Sequence, residues 1–214
     1  MTDALHPPSA TLLFLPGAGG DRTIWTPVSE GLSHPGQRHT FSWPGFAGVP
    51  VDPAVRGLPD LVARVEAEIT GPVVLFAQSM GGLIALRAAF TRPESVRAMV
   101  LSVTSGGIDV KSLGGLDWRP QFEQRNPDAP RWFLDARDDL TPELRRIAAP
   151  VLLLWGDADP ISPVAVGRRL AELLPRAELV VVAGGTHALV SERASEVLPH
   201  IERHLERALS GAGR

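Results

Sequence analysis

Ser79 lies between an apolar run, Leu75-Phe76-Ala77, and a stretch of small residues opening with Met80-Gly81-Gly82. A serine at a tight turn from strand to helix carries its hydroxyl above the sheet, with a helix N-terminus beneath it. The residues two before and two after it must be small, because the two backbones nearly touch there. They are Ala77 and Gly81, so the pattern is A-x-S-x-G, and the alanine methyl is a tolerable departure from glycine. A serine hydroxyl is a poor nucleophile at neutral pH and needs a base, which in turn needs an orienting acid.

Six histidines are available for the base: His6, His34, His39, His187, His200 and His204. His6 lies in the N-terminal tail, and His34 and His39 flank a turn and the start of a strand. His200 and His204 stand one helical turn apart, but no third metal ligand accompanies them, and they read as a solvated helix face. His187 differs: an apolar run ends at Val182, Gly184-Gly185-Thr186 turns, and His187 opens a helix. The segment Trp155-Gly156-Asp157-Ala158-Asp159-Pro160 offers two carboxylates, also just past an apolar run. Ser79, Asp159 and His187 thus follow one another along the chain, each at the end of a predicted strand. Three strand ends along one edge of a sheet can bring nucleophile, acid and base together for acyl transfer.

Leu13-Phe14-Leu15-Pro16-Gly17-Ala18-Gly19-Gly20 places free backbone N–H groups after the first strand. The rival reading, a dinucleotide-binding loop, needs a third glycine where Arg22 stands and an acidic residue after the next strand, which Phe41-Ser42-Trp43 does not supply.

The elements that must carry these residues follow from pattern. Strands are expected at Thr11–Leu15, Arg38–Trp43, Val73–Ala77, Ala98–Val103, Val151–Trp155 and Glu178–Val182. Helices are expected at Leu58–Thr70, Met80–Thr91, Pro163–Leu174 with Ser162 as N-cap, and Ala188–Leu209 with a break at Pro199. Continuous apolar strands alternating with helices imply a doubly wound, three-layer α/β/α sandwich on a mostly parallel sheet. Thr104–Pro150 breaks the rhythm, with paired glycines, prolines and the aromatics Trp118, Phe122, Trp132 and Phe133. A segment of that length is read as either a satellite helix pair or a lid over the strand ends.

The 214 residues fit one domain, which at this size hides roughly 70% of its extended-chain surface without disulfide or structural metal. There is no cysteine, which removes thiolate metal sites and a cysteine nucleophile. A net charge of −3, from 21 basic and 24 acidic residues, argues against nucleic acid as a partner. No apolar run is long enough to span a bilayer and the N-terminus shows no secretory pattern, so a cytoplasmic protein with no membrane partner is expected.

The chain resembles the α/β-hydrolase fold family over nearly its whole length. The resemblance rests on Phe14–Gly20 with Trp25 downstream, Ala77–Gly82, Gly156–Pro160 and Gly184–His187. It implies Ser79 as nucleophile, His187 as general base and Asp159, rather than Asp157, as orienting acid, from the G-x-x-D spacing that starts at Gly156. It further implies an oxyanion hole from the N–H groups of Ala18 and Met80, with no metal or cofactor. Two departures stand out. Pro16 occupies a position that is often histidine in the family, and too few residues precede Thr11 for the family's N-terminal antiparallel pair. A sheet of about six strands is therefore expected, the first lying between the second and third, with a reduced lid at about 104–147 in a single domain over 1–214. Trp25, Gln78, Trp118, Phe122, Trp132 and Leu189 are the candidate substrate contacts, suited to a small-molecule ester or thioester. Two other readings use the same scaffold: a cofactor-free lyase or C–C bond hydrolase, for which Arg119, Arg125 or Arg131 would line the pocket, and a non-catalytic ligand-binding protein.

Overall fold

The computed structural model describes residues 9–19 and 21–210. The apolar runs become β1 (Thr11–Leu15), β2 (Arg38–Thr40), β3 (Val73–Gln78), β4 (Val96–Ser102), β5 (Val151–Gly156) and β6 (Ala177–Val182). All pair in parallel in the order β2-β1-β3-β4-β5-β6. Because β2 lies on one side of β1 and β3 on the other, the chain reverses direction across the sheet there. The loops leaving β1 and β3 diverge and open a crevice at their carboxyl ends, which is where open α/β sheets bind ligands.

Every residue of β3 and β5 is buried, because helices cover both faces. Alternation sorts their side chains: Val73, Leu75 and Ala77 enter one core, Val74 and Phe76 the other. The first core is closed by α2 (Leu58–Glu68), α3 (Met80–Thr91) and α6 (Val164–Leu173). The second is closed by α1 (Thr26–Gly31), α7 (Leu189–Glu192) and α8 (Ala194–Ser210). Between β4 and β5 the chain forms two short helices, α4 (Arg119–Arg125) and α5 (Arg131–Asp135).

Four local expectations are corrected. β2 stops at Thr40 rather than Trp43: Phe41 and Trp43 stack at 5.4 Å and turn into the core, where the Trp43 indole N–H donates to the Pro16 carbonyl at 2.8 Å. Ser162 does not cap α6, since its hydroxyl donates to the Thr104 carbonyl at 3.1 Å and Pro163 takes the cap position. The C-terminal stretch breaks at Arg193, and α8 runs through Pro199 unbroken. Pro199 and Ser195 are both exposed, so the carbonyl left without a donor faces water. Finally, His200 is half-exposed as a solvated face requires, but His204 turns inward and is only 7% exposed.

Candidate active site

The three side chains singled out by sequence stand at the carboxyl edge of the sheet, one past each of β3, β5 and β6. Ser79 occupies the turn between β3 and α3 at φ 53°, ψ −120°, a conformation that costs a non-glycine residue free energy and persists only where its surroundings impose it. The small neighbours are required by contact. A Cβ on Gly81 would come within 2.4 Å of the Leu15 carbonyl oxygen, so the first turn of α3 rests on the end of β1. A Cβ on Gly17 would lie 2.8 Å from the Ser79 Cβ.

His187 Nε2 lies 3.0 Å from Ser79 Oγ, and His187 Nδ1 lies 2.7 Å from Asp159 Oδ2. The Asp159 side chain is wholly buried, and its other oxygen accepts the Ile161 N–H at 2.8 Å. The imidazole keeps 26% of its side-chain surface open. Of the two carboxylates in the β5 loop, only Asp159 meets the imidazole; Asp157 Oδ1 accepts the Gly184 N–H at 2.6 Å and pins the turn that precedes His187. Glycine is needed both in that turn and at the end of β5 facing it. Gly184 sits at φ 67°, and a Cβ on Gly156 would strike the Gly185 carbonyl oxygen at 2.1 Å, so the two loops touch backbone to backbone.

Met80 follows the serine at the head of α3, and Ala18 follows Gly17 in the β1 loop, each 7% exposed. Met80 opens its helix, where N–H groups have no intrahelical acceptor. Among the described residues no loop carbonyl takes the N–H of Met80 or of Ala18. Beyond Ala18 the loop closes on Asp21, which caps the turn Arg22–Trp25. The hydroxyl and N–H of Thr23 hold the Asp21 carboxyl below the usual carboxylate range.

The remaining sequence candidates divide. Trp25 and Leu189, expected as pocket walls, are 1% and 0% exposed in the core under α1 and α8. Trp25 packs against Phe14 and Phe76, and neither residue has surface left for a ligand. Gln78, expected to touch substrate, is 4% exposed and spends its amide N–H on the His187 carbonyl. Trp118, Phe122 and Trp132 are half-buried against the core that contains Ala18 and Met80. They gather around Phe133, with Trp118 stacked on it at 4.9 Å. Phe46 joins them edge-on at 5.3 Å from Phe133, a contact the sequence reading missed. Its signal was an aromatic inside the Gly/Pro-rich loop that leaves β2.

Arg119 and Arg131 of this segment are engaged. Arg119 donates to the carbonyls of Leu134 and Ala136 and lies over the Trp118 ring, stitching α4 to α5. Arg131 pairs with Glu123 on the surface, and Arg125 is exposed. Among the described residues no group of three or more His, Asp or Glu is placed to hold a metal ion, and no helix is long and apolar enough to cross a membrane.

The alpha/beta hydrolase family profile matches residues 12–142, more than half of the chain, and a TAP-like protein profile matches 125–209. The protein belongs to the alpha/beta hydrolase family. Among curated relatives, the pimeloyl-[acyl-carrier protein] methyl ester esterase of Aliivibrio salmonicida is 23% identical over 91% of this chain and 92% of its own length. Its counterpart from Xanthomonas oryzae is 27% identical over 84% of this chain and 88% of its own length. The polyketide synthase ThaQ of Burkholderia thailandensis is 26% identical over 94% of this chain, which spans only 12% of that protein. Among solved structures, a thermophilic esterase from Thermogutta terrifontis superposes with a TM-score of 0.78 at 20% identity, covering 94% of this chain and 91% of that one, which establishes the shared fold.

Proposed function

We propose that this protein is a serine hydrolase that cleaves a carboxylic ester or thioester of a small molecule through an acyl-enzyme on Ser79. The observation that carries the reading is the unbroken line Asp159–His187–Ser79, with contacts of 2.7 and 3.0 Å. His187 Nε2 takes the Ser79 proton as Oγ bonds to the acyl carbon. Asp159 holds Nδ1–H toward itself and stabilises the imidazolium that forms. The negative oxygen faces the N–H groups of Ala18 and Met80. When the intermediate collapses, the bond to the leaving group breaks and His187 returns the proton to that group. Water, deprotonated by the same histidine, then releases the acid and restores Ser79.

The aromatic cluster of Phe46, Trp118, Phe122, Trp132 and Phe133 supplies an apolar wall for the acyl chain. In this reading the 104–147 segment is a reduced lid over the strand ends. Relatives that hydrolyse the methyl ester of an acyl group support an ester substrate. The lyase or C–C hydrolase alternative gains little, since Arg119 and Arg131 are committed to other partners. A non-catalytic role would leave the aligned line of three side chains without use.

The test is a panel of nitrophenyl esters, methyl esters and acyl thioesters of rising chain length, with Ser79→Ala as control. Turnover that disappears in Ser79→Ala is expected. A serine-reactive phosphonate that labels wild type and Ser79→Ala equally removes Ser79 from the mechanism.

A further inference from the structure

Val103, one residue past β4 and 1% exposed, holds φ at 41°. A β-branched residue in that region is a genuine outlier, and it persists only where the surrounding structure imposes it. Its effect is a change of face. Along β4, Ala98 and Val100 point into the core under α8, while Met99, Leu101 and Val103 point toward α3. An extended chain would send Thr104 to the α8 side with the other even-numbered residues. Instead Thr104 packs against α3, so closely that a Cβ on Gly82 would lie 2.4 Å from its hydroxyl oxygen.

There the Thr104 hydroxyl donates to the carbonyl of Ser79 at 2.7 Å and accepts the Gly106 N–H at 3.1 Å. Ser102, on the other side of Val103, accepts the Ser79 N–H at 3.0 Å. Both polar ends of the strained serine residue are therefore gripped by the residues flanking the strained valine. Thr104 is also tied outward, its carbonyl accepting the Ser162 hydroxyl at 3.1 Å, and Ser162 belongs to the loop that carries Asp159.

We infer that Thr104 is a positioning residue: the backbone flip at Val103 brings its hydroxyl onto the Ser79 carbonyl, fixing the serine turn and linking it through Ser162 to the acid loop. The inference rests on the proposed role of Ser79. It is tested with Thr104→Val, which keeps the shape and removes the hydroxyl, Thr104→Ser, which keeps the hydroxyl, and Ser162→Ala. The readouts are the second-order rate of Ser79 labelling by an alkyl nitrophenyl phosphonate and the melting temperature. Thr104→Val is expected to react about tenfold more slowly, with Thr104→Ser within about threefold of wild type. A Thr104→Val protein that reacts at the wild-type rate overturns the inference, as does a Thr104→Ser protein as slow as Thr104→Val. If Thr104→Val does not fold, Ser162→Ala carries the test: slower labelling at an unchanged melting temperature supports the link, and a wild-type rate overturns it. Ser79→Ala separates the two levels, because wild-type protein left unlabelled at Ser79 removes the serine mechanism and this inference together.

Discussion

Gln78 donates its amide N–H to the carbonyl oxygen of His187 at 2.9 Å, joining positions 109 residues apart. Its other amide atom, Oε1, occupies the space beside Gly17, where a Cβ would come within 2.4 Å of it. One buried side chain at the end of β3 thus touches both the loop that carries His187 and the loop that carries Ala18. Gln78→Leu fills a similar volume without the bond and is expected to lower kcat/KM about tenfold, by letting the imidazole drift from its line with Ser79. Gln78→Glu, an acceptor where a donor is needed, is expected to do no better. Steady-state ester hydrolysis checks this, and recovery of activity in Gln78→Glu would sink the idea.

Asp157 and Asp159 are two residues apart and do different work. Asp159 faces His187 from a fully buried position, so Asp159→Asn leaves the shape but turns the imidazole toward the wrong tautomer; a roughly ten-thousandfold loss of kcat is expected. Asp157→Ala removes only the acceptor for the Gly184 N–H at an exposed position. Its expected cost is about 1 kcal/mol, or about 2–4 °C in Tm, with most activity kept. Assays and melting curves on both variants decide the assignment, and equal kinetic losses would count against it.

Gly17 and Gly19 separate contact from flexibility in the β1 loop. A methyl on Gly17 would collide with Gln78 Oε1 and with the Ser79 Cβ, whereas one on Gly19 meets nothing among the described residues within 4 Å. Gly17→Ala is therefore expected to lower kcat by about a hundredfold through displacement of the serine turn. Gly19→Ala is expected to keep activity and to leave Tm unchanged or slightly raised, since alanine restricts the unfolded chain. Comparable losses in the two variants would show that the loop needs glycine for another reason.

What could be read in the sequence was what local pattern controls. The bounds of α3 followed from the small residues after Ser79 and from Pro93, and the strand order followed from the family resemblance. Side-chain direction was not legible in the same way. Nothing local distinguishes Trp25, which is locked between Phe14 and Phe76, from Trp118, which is half-buried between β4 and β5. β2 was overestimated because Phe41 and Trp43 keep a strand-like pattern while being drawn into the core by a partner at Pro16. Thr104 carried no signal at all, since its position depends on a backbone flip at Val103 and on contact with a turn 25 residues away.

His204 sets a pH dependence of stability at the opposite end of the sheet from Ser79. It sits on the inner face of α8 beside a cleft bordered by Pro150, Arg176, Glu178 and Arg207, and its Nε2 has no hydrogen-bond partner among the described residues. Burial holds its imidazole below the usual histidine range, with Arg207 acting in the same direction; the backbones of Met99 and Pro150 and the charge of Glu178 pull the other way without prevailing. The unfolded chain, with a histidine value of about 6.5, then binds more protons than the folded one as pH drops below that value. Stability is therefore full above that value and is lost as pH falls from it toward the lower folded value. His34, also lowered by burial and by Arg38, adds a slope of the same sign. His204→Leu keeps the volume and removes the titration, so its Tm is expected to fall less than that of wild type between pH of about 7.5 and about 5.5. Its pH–activity profile should match wild type, because the residue is remote from the site. An unchanged slope of Tm against pH in His204→Leu would show that this imidazole titrates alike in the folded and unfolded chain.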